Sequence, residues 1–131
     1  MMEGQIKAKF PDRVLLQPTG LGIVYEIKIS EKTFNELPEP GKQAHFHLYY
    51  RVCENSQTLL GFLNADEKNL LEEMMKVNGV GPLTALAVTG IGSPENVRQA
   101  IRMGNVAYLA RGKRVGDKVA QKICLHFQGK L

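Results

Sequence analysis

The sequence predicts an α+β protein, an N-terminal β-barrel followed by an all-α half that contains two glycine-turn helix hairpins. Three observations point there. Up to residue 63 apolar residues alternate in short runs separated by Gly, Pro and Asn, and from Asn64 onward they recur at helical spacing. Charge divides at the same place. Residues 1–64 hold seven basic and seven acidic residues, whereas residues 65–131 hold ten against six and carry the whole net charge of +4.

In the first half, residues 2–10 (MEGQIKAKF) and 13–17 (RVLLQ) read as strands around the turn pair Pro11-Asp12. Residues 21–29 alternate at Ile23, Tyr25, Ile27 and Ile29 and form a third strand, entered through Gly20 and Gly22. Glu31 to Leu37 makes one short helix, capped by Ser30 and stopped by Pro38 and Pro40. Residues 43–52 (QAHFHLYYRV) and 57–63 (QTLLGFL) are two more strands about a turn at 53–56. Five strands with one short helix fit a small closed barrel of the OB type, with a small open sheet as the alternative.

In the second half, Asn64 and Glu67 form a capping-box pair at a helix start, and Leu70, Leu71, Met74, Met75 and Val77 follow at helical spacing. Asn78 to Pro82 interrupts, and Leu83 to Val88 resumes as a helix ending near Thr89-Gly90. Ser93-Pro94 starts a further helix with Val97, Ala100, Ile101 and Met103 on its buried face. Residues 105–110 form a short helix, 111–116 a loop, and 117–128 a last helix with Val119, Ala120, Ile123, Cys124 and Phe127 inward. The domain boundary falls near residue 64, giving domains 1–64 and 65–131.

Two segments of this half share one plan of helix, tight glycine loop and helix, around Gly79-Val80-Gly81 and around Arg114-Val115-Gly116. Such a loop turns sharply and sets N–H groups at the start of the following helix, where the helix dipole favours a phosphate oxygen. Residues 98–131 carry eight basic residues against Asp117 alone, a net +7 over 34 residues that attracts a polyanion. Together these features point to nucleic acid, gripped by its backbone without reading bases.

Other classes fall away. No apolar run approaches the roughly twenty residues of a membrane span, and the sequence shows no basic-plus-apolar leader, so no signal peptide is expected. Cys53 and Cys124 lack metal or redox spacing, so a cytoplasmic protein with two ordinary thiols is expected. His45, His47, Glu54 and His126 do not make a ligand set, so no metal is expected. Without a Gly-Lys-Ser/Thr phosphate loop neither ATP nor another cofactor is expected. A base-excision glycosylase also uses a glycine hairpin, but it needs a well-placed acid beyond it. Glu95 and Asp117 sit at helix starts instead, so the expectation is a protein with no catalytic role. Phe46, Tyr49 and Tyr50 offer rings for base stacking, yet the neutral first half argues for packing and assembly.

Along essentially all 131 residues the sequence resembles the first two domains of the RuvA family, the Holliday-junction-binding subunits of the bacterial branch-migration complex. The segments that carry the resemblance are GIVYEI from Gly22 to Ile27, Glu36-Leu37-Pro38, SQTLLGF from Ser56 to Phe62, and VNGVGP from Val77 to Pro82 with Ala85-Leu86-Ala87. The resemblance implies an OB-fold barrel followed by a tandem helix-hairpin-helix domain. It implies a homotetramer around an open four-way junction, held for branch migration by the RuvB ATPase in homologous recombination and DNA repair, with the RuvC resolvase as a further partner. It also implies that a third, motor-binding domain is absent from these 131 residues, so that the motor contact is lost. By position, Asn78, Gly79, Val80 and Gly81 match the first hairpin, with Gly79, Val80 and Gly81 offering N–H groups. Lys113, Arg114, Val115, Gly116 and Lys118 fall on the second hairpin, and Glu54 with Asn55 fall on an acidic pin aimed at the crossover.

The sequence also departs from that family. Asn55 leaves the pin with one acid. Leu83 stands where the family has a basic residue. Arg114 replaces a glycine at a position that often takes positive φ, and Asp117 follows the second hairpin where a basic residue is usual. These departures keep a second reading open, a diverged scaffold or general duplex-binding module with weakened junction specificity.

Overall fold

The computed structural model describes residues 1–128; Gly129, Lys130 and Leu131, with the last charge of the basic run, lie outside the described residues. The chain forms two compact units, Met1–Lys68 and Asn69–Leu131.

The first unit contains β1 (Met2–Phe10), β2 (Arg13–Pro18), β3 (Tyr25–Lys28), α1 (Glu31–Glu36), β4 (Gln43–Cys53) and β5 (Ser56–Phe62). The strands close into a barrel in the order β1-β2-β3-β5-β4, the closed alternative and not the open sheet. Neighbours are antiparallel except at the β3–β5 seam, which is parallel and registers Lys28 against Leu60. Between Ile6 and Ala8 the β1–β2 register shifts, the kind of bulge that lets a long strand serve two neighbours in a tight barrel. Alternation puts Ile6, Val14, Leu16, Ile27 and Phe46 inside, all fully buried. Gly61 belongs to this packing: a Cβ there would lie 2.5 Å from Ile27 Cγ2 and 3.0 Å from Phe46 Cδ1.

The third strand is shorter than the alternation over 21–29 predicts. Gly20 turns the chain at φ 81°, and Leu21 N–H donates to Pro18 O, so residues 19–24 are spent on the connection. The β2 ladder reaches only Leu16↔Tyr25, which leaves Ile23 exposed. Ser30 caps α1 as expected, its hydroxyl accepting from Thr33 N–H at 3.1 Å.

The helix α2 (Ala65–Met74) begins in the first unit. Asn64 Oδ1 accepts from Glu67 N–H at 3.0 Å, and Asn64 Nδ2 donates back to Glu67 Oε1 at 2.6 Å, so the capping pair forms. Glu67 itself is fully buried, with Lys32 Nζ of α1 at 3.4 Å from Oε2. Burial pushes its carboxyl above the ordinary range, opposed by Lys32.

The second unit holds the end of α2 and then α3 (Pro82–Thr89), α4 (Pro94–Arg102), α5 (Val106–Leu109) and α6 (Asp117–His126). Leu71, Met74, Val88, Val97, Leu109, Ala120 and Ile123 are fully buried there. Arg98 of α4 reaches Glu73 of α2 at 3.2 Å. Met103 is not part of the buried face, contrary to the spacing argument. It is the C-cap of α4, where the helix has ended, and it stands 72% exposed. Among the described residues no helix is long and apolar enough to cross a membrane.

Candidate nucleic-acid interface

The two glycine loops of the helical unit are the same object built twice. Gly79 takes φ 87° and Arg114 takes φ 69°, 35 positions on. One residue further, Val80 N–H donates to Val77 O at 3.1 Å, and Val115 N–H donates to Gly112 O at 3.1 Å. The next residues, Gly81 and Gly116, are the N-caps of α3 and α6 with extended backbones of φ −88°, ψ 176° and φ −86°, ψ 175°. Ala85 and Ala120 then close the first helical bond onto those caps, each at 2.9 Å. The repeat read from sequence is thus a repeat of hydrogen bonds, residue for residue.

Its chemical content lies in what the caps omit. Helices α1, α4 and α5 are capped by the side chains of Ser30, Ser93 and Asn105, and α2 by Asn64. The helices α3 and α6 have glycine caps and no side-chain hydrogen bond there. Their first-turn donors are therefore left for an outside acceptor. A Cβ on Gly81 or Gly116 would meet nothing within 4 Å, so the approach to both caps is open.

This geometry corrects one assignment. Val80 does not offer its N–H group, because that group already closes the turn onto Val77; the Val115 N–H is engaged in the same way by Gly112. Their side chains are buried at 6% and 4% exposure, so both act as apolar pegs that hold the loop against the helices. Asn78 and Gly79 are exposed beside the first peg, and Lys113, Arg114, Gly116 and Lys118 beside the second. Leu83 and Lys118 occupy equivalent places, the second helical residue after each glycine cap, so the second hairpin has a cation where the first has an exposed leucine. Lys122, read from sequence only as part of the basic run, comes to the first loop. A Cβ on Gly79 would lie 3.6 Å from its Nζ.

Arg114 holds a left-handed backbone that costs a side chain roughly 1–2 kcal/mol. Arg114→Gly is expected to raise stability by about 1 kcal/mol, the lower end of that cost. Thermal unfolding of the two chains checks it, and an unchanged or lower midpoint would show that the turn is not strained.

On the barrel unit, Glu54 and Asn55 form the exposed tip of the β4–β5 hairpin, between the pair Cys53↔Ser56. Phe46 is buried in the core, while Tyr50 and Val52, near the tip, are 58% and 60% exposed. His45 Nε2 lies 3.1 Å from Glu3 Oε2. No group of three or more metal-ligating side chains gathers among the described residues.

Known proteins match this arrangement in the same two parts. Residues 1–61 match the RuvA N terminal domain, and residues 71–129 match the SAM-like helix-hairpin-helix tandem. The chain is similar to proteins named Holliday junction branch migration complex subunit RuvA. It is 34% identical to that of Acidobacterium capsulatum over 99% of this chain and 65% of the relative. It is 35% identical to that of Klebsiella pneumoniae over 97% and 62%. With that of Polaromonas sp. it shares 33% over 99% and 67%. The chain thus spans about 65% of the length of the Acidobacterium relative. With a closed five-stranded barrel, paired glycine hairpins and these relatives along nearly its whole length, the chain belongs to the RuvA family.

Proposed function

We propose that this chain binds four-way junction DNA as a homotetramer and holds the junction open for branch migration in recombination and repair. The observation that carries the reading is the pair of open glycine caps, the same in every backbone bond, in a unit that holds all of the chain's net positive charge. Gly81, Gly116 and the first-turn N–H groups behind them take phosphate oxygens, with Gly79, Asn78, Lys113, Arg114 and Lys118 around them. Residues 65–131 thereby grip duplex arms, and residues 1–64 serve assembly and present Glu54 and Asn55 to the crossover. A carboxylate at the hairpin tip repels phosphates and favours separated strands. The chain has no bond chemistry of its own in this reading; RuvB supplies the motor, RuvC the later cleavage, and the work is done in the cytoplasm.

A gel-shift titration of a synthetic four-way junction against linear duplex, at two salt concentrations, tests the proposal. Preference for the junction at both is expected, with affinity falling steeply with salt. Equal affinity for junction and duplex would reduce the protein to a general duplex binder. Sedimentation showing only monomers at high concentration would remove the tetramer. Glu54→Gln is expected to leave junction affinity equal or higher; loss of binding would displace Glu54 from the pin.

A further inference from the structure

The first hairpin carries Lys76 ahead of its glycine loop but no cation beyond it. From Val77 to Val97 the sequence contains neither Lys nor Arg, and Leu83 fills the place that Lys118 holds in the second hairpin. A phosphate at the first glycine cap would then find no cation on α3 itself. The missing charge arrives from elsewhere in the same unit. Lys122 lies one helical turn beyond Lys118 on α6, so it projects from the same face of that helix. Its Nζ stands against the turn at Gly79, 3.6 Å from where a Cβ would project. Lys122 is exposed and forms no ion pair with a described residue, so its charge is not spent within the fold. The equivalent residue after the first cap is Ala87, so the arrangement is one-sided: the second hairpin lends a cation to the first and receives none back.

We propose that Lys122 is the phosphate-binding cation of the first hairpin, supplied in place of Leu83 by the helix that follows the second. This rests on the junction-binding reading and adds a residue that the family match does not assign. One phosphate is held jointly by the N–H donors of the first cap and the Lys122 ammonium, so the two hairpins engage the backbone as one unit.

The test uses the full chain and a synthetic four-way junction across a salt series. Lys122→Gln is expected to weaken binding by about tenfold, the lower end for a charge-assisted hydrogen bond. It is also expected to reduce the steepness of the log–log salt dependence by about 0.9, one phosphate contact. Adding Leu83→Lys to that variant restores the cation from the first hairpin's own helix and should recover both. Unchanged affinity and slope in Lys122→Gln would overturn the assignment. Failure of Leu83→Lys to recover them would move Lys122 away from the first hairpin. Lys118→Gln and Gly116→Ala run in parallel separate the two levels. If they weaken binding and Lys122→Gln does not, only this inference falls. If none of them acts, the hairpin reading itself falls.

Discussion

A chain carrying both Gly81→Ala and Gly116→Ala is expected to lose roughly a hundredfold in junction affinity while keeping its fold. Each substitution adds one methyl group at an open helix cap, where a Cβ meets nothing in the protein. On the proposed function, the methyl stands where a phosphate comes close to the N–H donors. A hydrogen bond to a charged group contributes about 1.5–3 kcal/mol, and two separate sites add. Stability should barely move. Both residues have ordinary extended backbones that alanine adopts without strain. Alanine is a poorer N-cap than glycine, but it also restricts the unfolded chain by about 0.4–1 kcal/mol, and the two effects oppose each other. Gel shifts beside thermal melts decide the matter. Full affinity in the double variant would show that DNA does not approach these helix ends. Gly79→Ala is the weaker experiment, because φ 87° makes any side chain strained and a loss of binding would mix with a loss of fold.

The largest stability effect is expected at Lys32, far from the hairpins in sequence. Glu67 is fully buried, and Lys32, with its side chain one-quarter exposed, is the cation beside it. Lys32→Met keeps the aliphatic stem and removes the charge. Orphaning a buried ion costs about 3–5 kcal/mol; here about 2 kcal/mol is expected, since Glu67 escapes by taking up a proton. The sign with pH follows. Burial raises the Glu67 carboxyl above its ordinary 4.5, so the folded state holds that proton more tightly than the unfolded one. Stability from this group is therefore fully present below 4.5 and is lost as pH rises through the higher folded value. Removing Lys32 raises that value further. The variant should be weakest near neutrality and close to the parent in mild acid. Urea unfolding at several pH values measures this, and a penalty independent of pH would mean that the two groups are not coupled.

How far the sequence could be read depended on the range of the interactions involved. Alternation in Ile6, Val14, Leu16 and Ile27 is a local signal, and those side chains are the barrel core. Ile23 obeys the same alternation yet is exposed, because a strand needs a partner and the β2 ladder ends before it. The strain at Arg114 was legible from the family glycine it replaces, and the backbone is left-handed there. The engaged N–H groups of Val80 and Val115 were not, since nothing in a Gly-Val-Gly string says which donor closes the turn. The capping pair Asn64–Glu67 lies within one turn and was visible; the ion pair of Glu67 with Lys32 joins residues 35 apart and was not. Lys122 illustrates the same limit. Its charge was counted from the sequence, but its place beside Gly79 is set by how α6 packs.

The open glycine caps also have a consequence for selection. A serine, aspartate or asparagine at 81 or 116 would satisfy the exposed donors from within and add a few tenths of a kcal/mol to the free protein. Screens for thermal robustness would favour such changes, and so would a redesign that copies the caps used at Ser30, Ser93 and Asn105. Each would also put an intramolecular competitor on the donors that the proposed function gives to a phosphate. On the proposed function, the free protein is left slightly short of its attainable stability at two defined points, and bound phosphate makes up the difference by mass action.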